Sequence, residues 1–153
     1  MTCVLDLDGV VWLGDQPIPG AAEAVGTLRA GGERVLFATN NSFARLAEQE
    51  AKLERFGIPA HGDVLTSAMA AARLVEAGER ALVCGGPGIA EALEGRGATP
   101  VRDGDADAVV VGFHRDFDYE RLRVAVRAVQ RGARLIATND DATYPTPDGP
   151  IPG

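Results

Sequence analysis

Two carboxylates one residue apart are the most reactive pattern in this 153-residue chain. Asp6 and Asp8 end a short apolar run in the segment Val4-Leu5-Asp6-Leu7-Asp8-Gly9-Val10-Val11-Trp12. On an extended strand, residues i and i+2 project to the same side, roughly 6–7 Å apart. Two acids so placed repel each other unless a cation lies between them. A hard divalent ion with oxygen ligands, Mg²⁺ by preference, suits that arrangement and also attracts phosphate. The plainer alternative is a turn at Asp8-Gly9 with Asp6 hydrogen-bonded at a strand end, and the pattern alone leaves both open.

A second apolar run, Val35-Leu36-Phe37-Ala38, stops at Thr39-Asn40-Asn41-Ser42. A hydroxyl and an amide at a strand end, just before a helix, can surround a phosphoryl group beside the helix's free N–H groups. The competing reading is helix capping by Asn41 or Ser42. Three further features carry weaker chemistry. Cys84-Gly85-Gly86-Pro87-Gly88 reads either as a nucleotide-binding turn or as a tight turn without the full glycine spacing. His61 and His114 have no partner at metal-ligand spacing. His114 follows a strand end, where it either faces a substrate or lies in a surface loop. Asp103, Asp105 and Asp107 read as a solvated acidic loop.

The elements that must hold these residues alternate. Strands are expected over Cys3–Leu7, Val35–Ala38, Val64-Leu65, Ala81–Cys84, Ala108–Val111 and Arg134–Ala137. Between them, apolar stripes predict helices: one entered at Pro19 and ending at Gly31-Gly32, and one capped by Ser42 and running to Phe56. Others are expected over Ser67 to Ala77, Ile89 to Leu93 and Tyr119 to Val129. Such alternation indicates an α/β fold with largely parallel sheets, whose ligands bind at the carboxyl ends of the strands. The segment Thr143 to Gly153, with four prolines and two glycines, reads as an irregular strap.

Composition narrows the partners. The charge of −7 argues against a general affinity for nucleic acid or an anionic membrane surface. No uncharged apolar run approaches the roughly 18 residues of a membrane span. Cys3 and Cys84 form no disulfide framework, and the start of the chain lacks the basic residues of a signal peptide. A cytoplasmic location is expected.

Asp6-Leu7-Asp8-Gly9-Val10 and the strand ending Thr39-Asn40 resemble the first two motifs of the haloacid dehalogenase-like superfamily. The phrases Val110-Val111-Gly112-Phe113, Phe117-Asp118-Tyr119 and Ala137-Thr138-Asn139-Asp140 are similar to its capped phosphatase branch, which includes phosphoglycolate and p-nitrophenyl phosphate phosphatases. The resemblance implies a Mg²⁺-dependent phosphatase acting on a small phosphorylated metabolite through an aspartyl-phosphate. Asp6 matches the nucleophile and Asp8 the general acid and base, and both serve as metal ligands. Thr39 and Asn40 match the phosphate-binding motif. Gly9 to Gly20 matches a mobile flap against which Trp12 packs, and His114 is a candidate substrate contact on the cap.

The implied organisation is the first half of a doubly wound parallel core over residues 1–66, an inserted α/β cap over 67–148, and a strap over 149–153. The family's later lysine and metal-binding acids have no counterpart, since Lys52 is the only lysine and falls on a predicted surface helix. The expectation is therefore a truncated, impaired phosphatase. A non-catalytic fragment or assembly module, and a nucleotide-binding module at Gly85–Gly88, are the alternatives. A half-core also leaves the strand of Asp6 with an open edge. That edge is expected to be covered by a second copy in a homodimer, a swapped element, the folded-back strap or a complementing core segment.

Overall fold

A computed structural model describes residues 1–152. It is an α/β structure that separates into two compact units. One holds residues 1–39, 46–65 and 140–152; the other holds 40–45 and 66–139.

The first unit begins with β1 (Thr2–Asp6). A small antiparallel hairpin follows, β2 (Trp12–Leu13) and β3 (Gln16–Pro17), and then α1 (Ala21–Ala30), β4 (Arg34–Thr39), α2 (Leu46–Arg55) and β5 (Val64–Thr66). β1, β4 and β5 form one sheet in that order. β1 and β4 are parallel, in a register that pairs Cys3 with Val35, Leu5 with Phe37 and Asp6 with Ala38. Paired residues share a face, so Leu5, Val35 and Phe37 form one apolar surface. Ala22, Val25 and Leu28 of α1 and Leu46 and Leu53 of α2 cover it, with Trp12 closing the same core. Both helices pack on this face, and Val4 on the other is 60% exposed.

The second unit runs α3 (Ser67–Ala72), β6 (Arg80–Cys84), α4 (Pro87–Gly95), β7 (Thr99–Val101), β8 (Ala108–Val111), α5 (Tyr119–Gln130) and β9 (Arg134–Ala137). Its four strands are parallel in the order β7-β6-β8-β9. Ala71, Val75, Ile89 and Leu93 pack on one face, while Val124 and Ala128 of α5 pack on the other. Buried on both sides, β6 and β8 read as unbroken apolar runs, which is why the sequence announces them. β7 is harder to read because Pro100 interrupts it. It lies at the sheet edge, where a missing N–H is tolerated. The chain ends in the hairpin β10 (Thr143–Tyr144) and β11 (Ile151–Pro152).

Three expected boundaries move. α1 starts at Ala21 after Gly20, whose φ of 85° breaks the helix, so Pro19 lies outside it. α3 stops at Ala72, where the chain turns so that Val75 enters the core. α2 starts at Leu46, and Ser42 does not cap it. Ser42 is instead buried in the second unit, where its Oγ accepts a hydrogen bond from Thr138 Oγ1 at 2.9 Å. The strap forms its own hairpin and lays Pro147 against Gly14; it adds no strand to β1, which remains an edge.

Candidate active site at the carboxyl end of β1

β1 ends at Asp6, and the chain then coils tightly over its own carbonyls. The N–H groups of Val11 and Trp12 both donate to Leu7 O, and Gly9 takes a φ of 83° that a side chain would strain. This coil carries Asp8 immediately beyond the strand. The indole Nε1 of Trp12 donates to Asp8 Oδ1 at 2.9 Å, and the Leu7 N–H donates to Asp6 Oδ1 at 2.7 Å. Each carboxylate is thus oriented by a neighbour through its Oδ1. The register of β1 with β4 brings Thr39, buried at the end of β4, to the same edge of the sheet.

Asp6, Asp8 and Thr39 therefore belong to one unit and one edge. Asn40 and His114 belong to the second unit. His114 has its side chain only 6% exposed. Its Nδ1 lies 3.3 Å from Asp116 Oδ1, and its ring packs against Phe117. That hydrogen bond, with the Arg121 guanidinium beside it, holds the Asp116 carboxyl below its ordinary range.

Two residues of the site were not singled out for these roles by the sequence. Trp12, inside the Gly9–Gly20 segment, packs against Phe56 and Lys52 and also orients Asp8; the clue was the single tryptophan of the chain, four residues on. Lys52 is not a surface charge. Its side chain is 19% exposed, its Nζ donates to Gly14 O at 2.6 Å, and it lies 4.4 Å from the centre of the Trp12 ring. It ties the β2–β3 hairpin to α2, a link across 38 residues that no local pattern reveals.

The Gly85–Gly88 turn is spent on packing. A Cβ on Gly86 would lie 2.5 Å from the Cα of Phe43, and one on Gly88 would lie 2.2 Å from Ala44 O. The Gly88 N–H donates to Phe43 O. The segment after Thr39 thus fills the space that a nucleotide's phosphates would need, which removes that reading of the turn. The acidic loop also has structural work: Asp107 accepts from the Arg80 N–H and Asp105 pairs with Arg131.

No group of three or more His, Cys, Asp or Glu among the described residues is arranged to hold a metal. Asp6 and Asp8 offer two carboxylates, which fits Mg²⁺, an ion that keeps several waters and binds through one or two carboxylates plus substrate oxygens.

The family profile described as haloacid dehalogenase-like hydrolase matches residues 3–99. An acid sugar phosphatase of Staphylococcus saprophyticus is 36% identical, over 98% of this chain and 60% of its own. A 5'-nucleotidase of Bacillus subtilis is 39% identical over the same shares. The crystal structure of a glycerol phosphate phosphatase from Mycobacterium tuberculosis in complex with magnesium matches at a TM-score of 0.89 and 38% identity, covering 99% of this chain and 47% of that one. The chain spans about 60% of the length of the first two relatives.

Proposed function

Because the chain belongs to the haloacid dehalogenase-like hydrolase family, we propose that Asp6 is the nucleophile of a phosphatase acting on a small phosphorylated metabolite. The relatives named above act on sugar phosphates, nucleotides and glycerol phosphate, so the shared chemistry is a phosphoric monoester. An oxygen of Asp6 attacks phosphorus as the P–O bond to the leaving alcohol breaks, and Asp8, protonated for this step, gives its proton to that alcohol. Asp8 then takes a proton from water, which attacks the aspartyl-phosphate and restores the Asp6 carboxylate. Thr39 and Asn40 donate hydrogen bonds to the phosphoryl oxygens. Asp6 and Asp8 would hold Mg²⁺, which when bound would supply the charge that offsets repulsion between carboxylate and phosphate. Within the second unit, His114, whose Nδ1 lies 3.3 Å from Asp116 Oδ1, is the residue proposed for a substrate contact.

The observation that carries this reading is the β1–β4 register, which ends Asp6 beside Ala38 and so sets Thr39 at the edge where Asp8 emerges. Free cysteines and the absence of a helix long and apolar enough to cross a membrane, among the described residues, support a cytoplasmic setting. The chain alone should be slow. Lys52, the one lysine of this sequence, is tied to Gly14 O, and going without a preorganised charged group at the phosphate costs roughly 10²–10³ in rate. The test is Mg²⁺-dependent hydrolysis of p-nitrophenyl phosphate. Asp6→Asn is expected to reduce it to the blank, and activity equal to the parent overturns the assignment. A non-catalytic binding or assembly role then becomes the better reading.

A further inference from the structure

Trp12 meets two partners of opposite charge through different parts of one ring. Its Nε1–H donates to Asp8 Oδ1 at 2.9 Å, while the Lys52 ammonium stands over the ring, 4.4 Å from its centre. Trp12 is 1% exposed and the Lys52 side chain 19%, so little water screens either contact. A cation at that distance is attracted by the electron-rich face of an indole, the more strongly when desolvated. It also draws π density toward itself and leaves the N–H edge more positive. The hydrogen bond to the carboxylate gains strength in consequence, because linked polar groups polarise one another where the dielectric is low.

The backbone carries the same linkage. Lys52 Nζ donates to Gly14 O at 2.6 Å, so α2 holds the turn between β2 and β3. Asp15 Oδ1 lies 3.6 Å from the same ammonium, but its side chain is fully exposed and adds little. β2 begins at Trp12, whose carbonyl accepts from the Gly9 N–H at 2.6 Å, and Asp8 forms a bridge with Trp12. The carboxylate, the ring and the hairpin therefore share one short piece of backbone. Lys52 grips that piece twice, at the ring and at the turn. Phe56, four residues after Lys52, packs on the same ring with centres 6.0 Å apart.

We propose that Lys52 is the positioning residue for Asp8: through the indole of Trp12 it fixes and strengthens the hydrogen bond that aims this carboxylate. The proposal rests on the reading of Asp8 as the group that gives its proton to the leaving alcohol. Aiming of that kind counts most where the leaving group is poor. An alkoxide needs the proton that a nitrophenolate can do without.

The test follows the single indole N–H of the whole chain by NMR, with two substitutions at Lys52. Lys52→Arg keeps a cation over the ring, and Lys52→Gln keeps only a donor for Gly14 O. Asp8→Ala, made in the otherwise unchanged chain, is expected to move the indole resonance and speed its exchange with solvent. That arm holds whatever Lys52→Gln does to folding. Lys52→Gln should move the resonance in the same direction and speed exchange about tenfold, while Lys52→Arg stays close to the parent. In hydrolysis with Mg²⁺, Lys52→Gln should slow glycerol phosphate about tenfold more than p-nitrophenyl phosphate. An indole signal that ignores Asp8→Ala, or that is the same in Lys52→Gln as in the parent, overturns the proposal. So does an equal effect of the two Lys52 substitutions. Equal slowing of the two esters overturns it as well, since a general loss of structure acts on both alike. The indole measurements need no turnover, so they decide the role of Lys52 even if Asp6→Asn shows that Asp6 is not the nucleophile.

Discussion

At the scale of single residues, the site depends on side chains that aim other side chains. Trp12 is almost fully buried, and its one polar atom donates to Asp8. Trp12→Phe keeps an aromatic ring and removes that donor, along with part of the packing against Phe56 and Lys52. A loss of about 1–3 kcal/mol is expected, read as a lower urea midpoint with unchanged slope. The exposed Asp116 gives a pH signature. The hydrogen bond from His114, with Arg121 nearby, lowers its folded pKa below the ordinary 3.8. Between those two values the unfolded chain binds more protons, so stability rises with pH across that window. The contribution is fully present above the ordinary value and disappears as pH falls through the lowered one. Asp116→Asn should therefore be slightly less stable than the parent at about pH 5, and the gap should close as pH falls through the lowered pKa of Asp116. The carboxylates themselves were legible in the sequence because Asp-x-Asp at a strand end is a local pattern. Lys52 was not, because its partners Gly14 and Trp12 are supplied by the fold.

Among the elements, the glycines separate two uses of a missing side chain. Gly88 lets the Ser42–Ala44 backbone approach the start of α4, while Gly26 sits inside α1 with nothing within 4 Å of the position its Cβ would take. Gly88→Ala forces a clash with backbone and should destabilise by about 1–3 kcal/mol. Gly26→Ala fills open space in a helix and should stabilise by roughly 0.5–1 kcal/mol. Equal effects from the two substitutions, measured by thermal or urea unfolding, contradict this account. The same close approach explains why α2 begins at Leu46, three residues later than a Ser42 cap would set it. Ser42 has good capping chemistry, but its hydroxyl is used by Thr138, nearly a hundred residues away. Strands buried on both faces were legible as apolar runs. The two-residue strands of the hairpins and the proline-bearing β7 were not, because they owe their pairing to neighbours rather than to periodicity.

For the molecule as a whole, the two units each have their own sheet and core. Each sheet also has its edge strands, β1 and β5 in one and β7 and β9 in the other. The helices of the first unit cover one face of its sheet and leave Val4 exposed on the other. Parallel sheets are ordinarily covered on both faces. The α/β alternation and the site-bearing strand were readable from composition and spacing. The allotment of residues 40–45 to the second unit was not, because it follows from contacts made by glycines distant in sequence.

The central claim is that Asp6 forms a covalent bond to phosphorus. The most direct measurement is mass spectrometry of the chain quenched in acid during incubation with Mg²⁺ and p-nitrophenyl phosphate. The account predicts a single phosphoryl group on the peptide containing Asp6, absent when the metal is chelated and absent in Asp6→Asn. Hydrolysis that proceeds with no adduct on Asp6, or with the phosphoryl group on another residue, contradicts it.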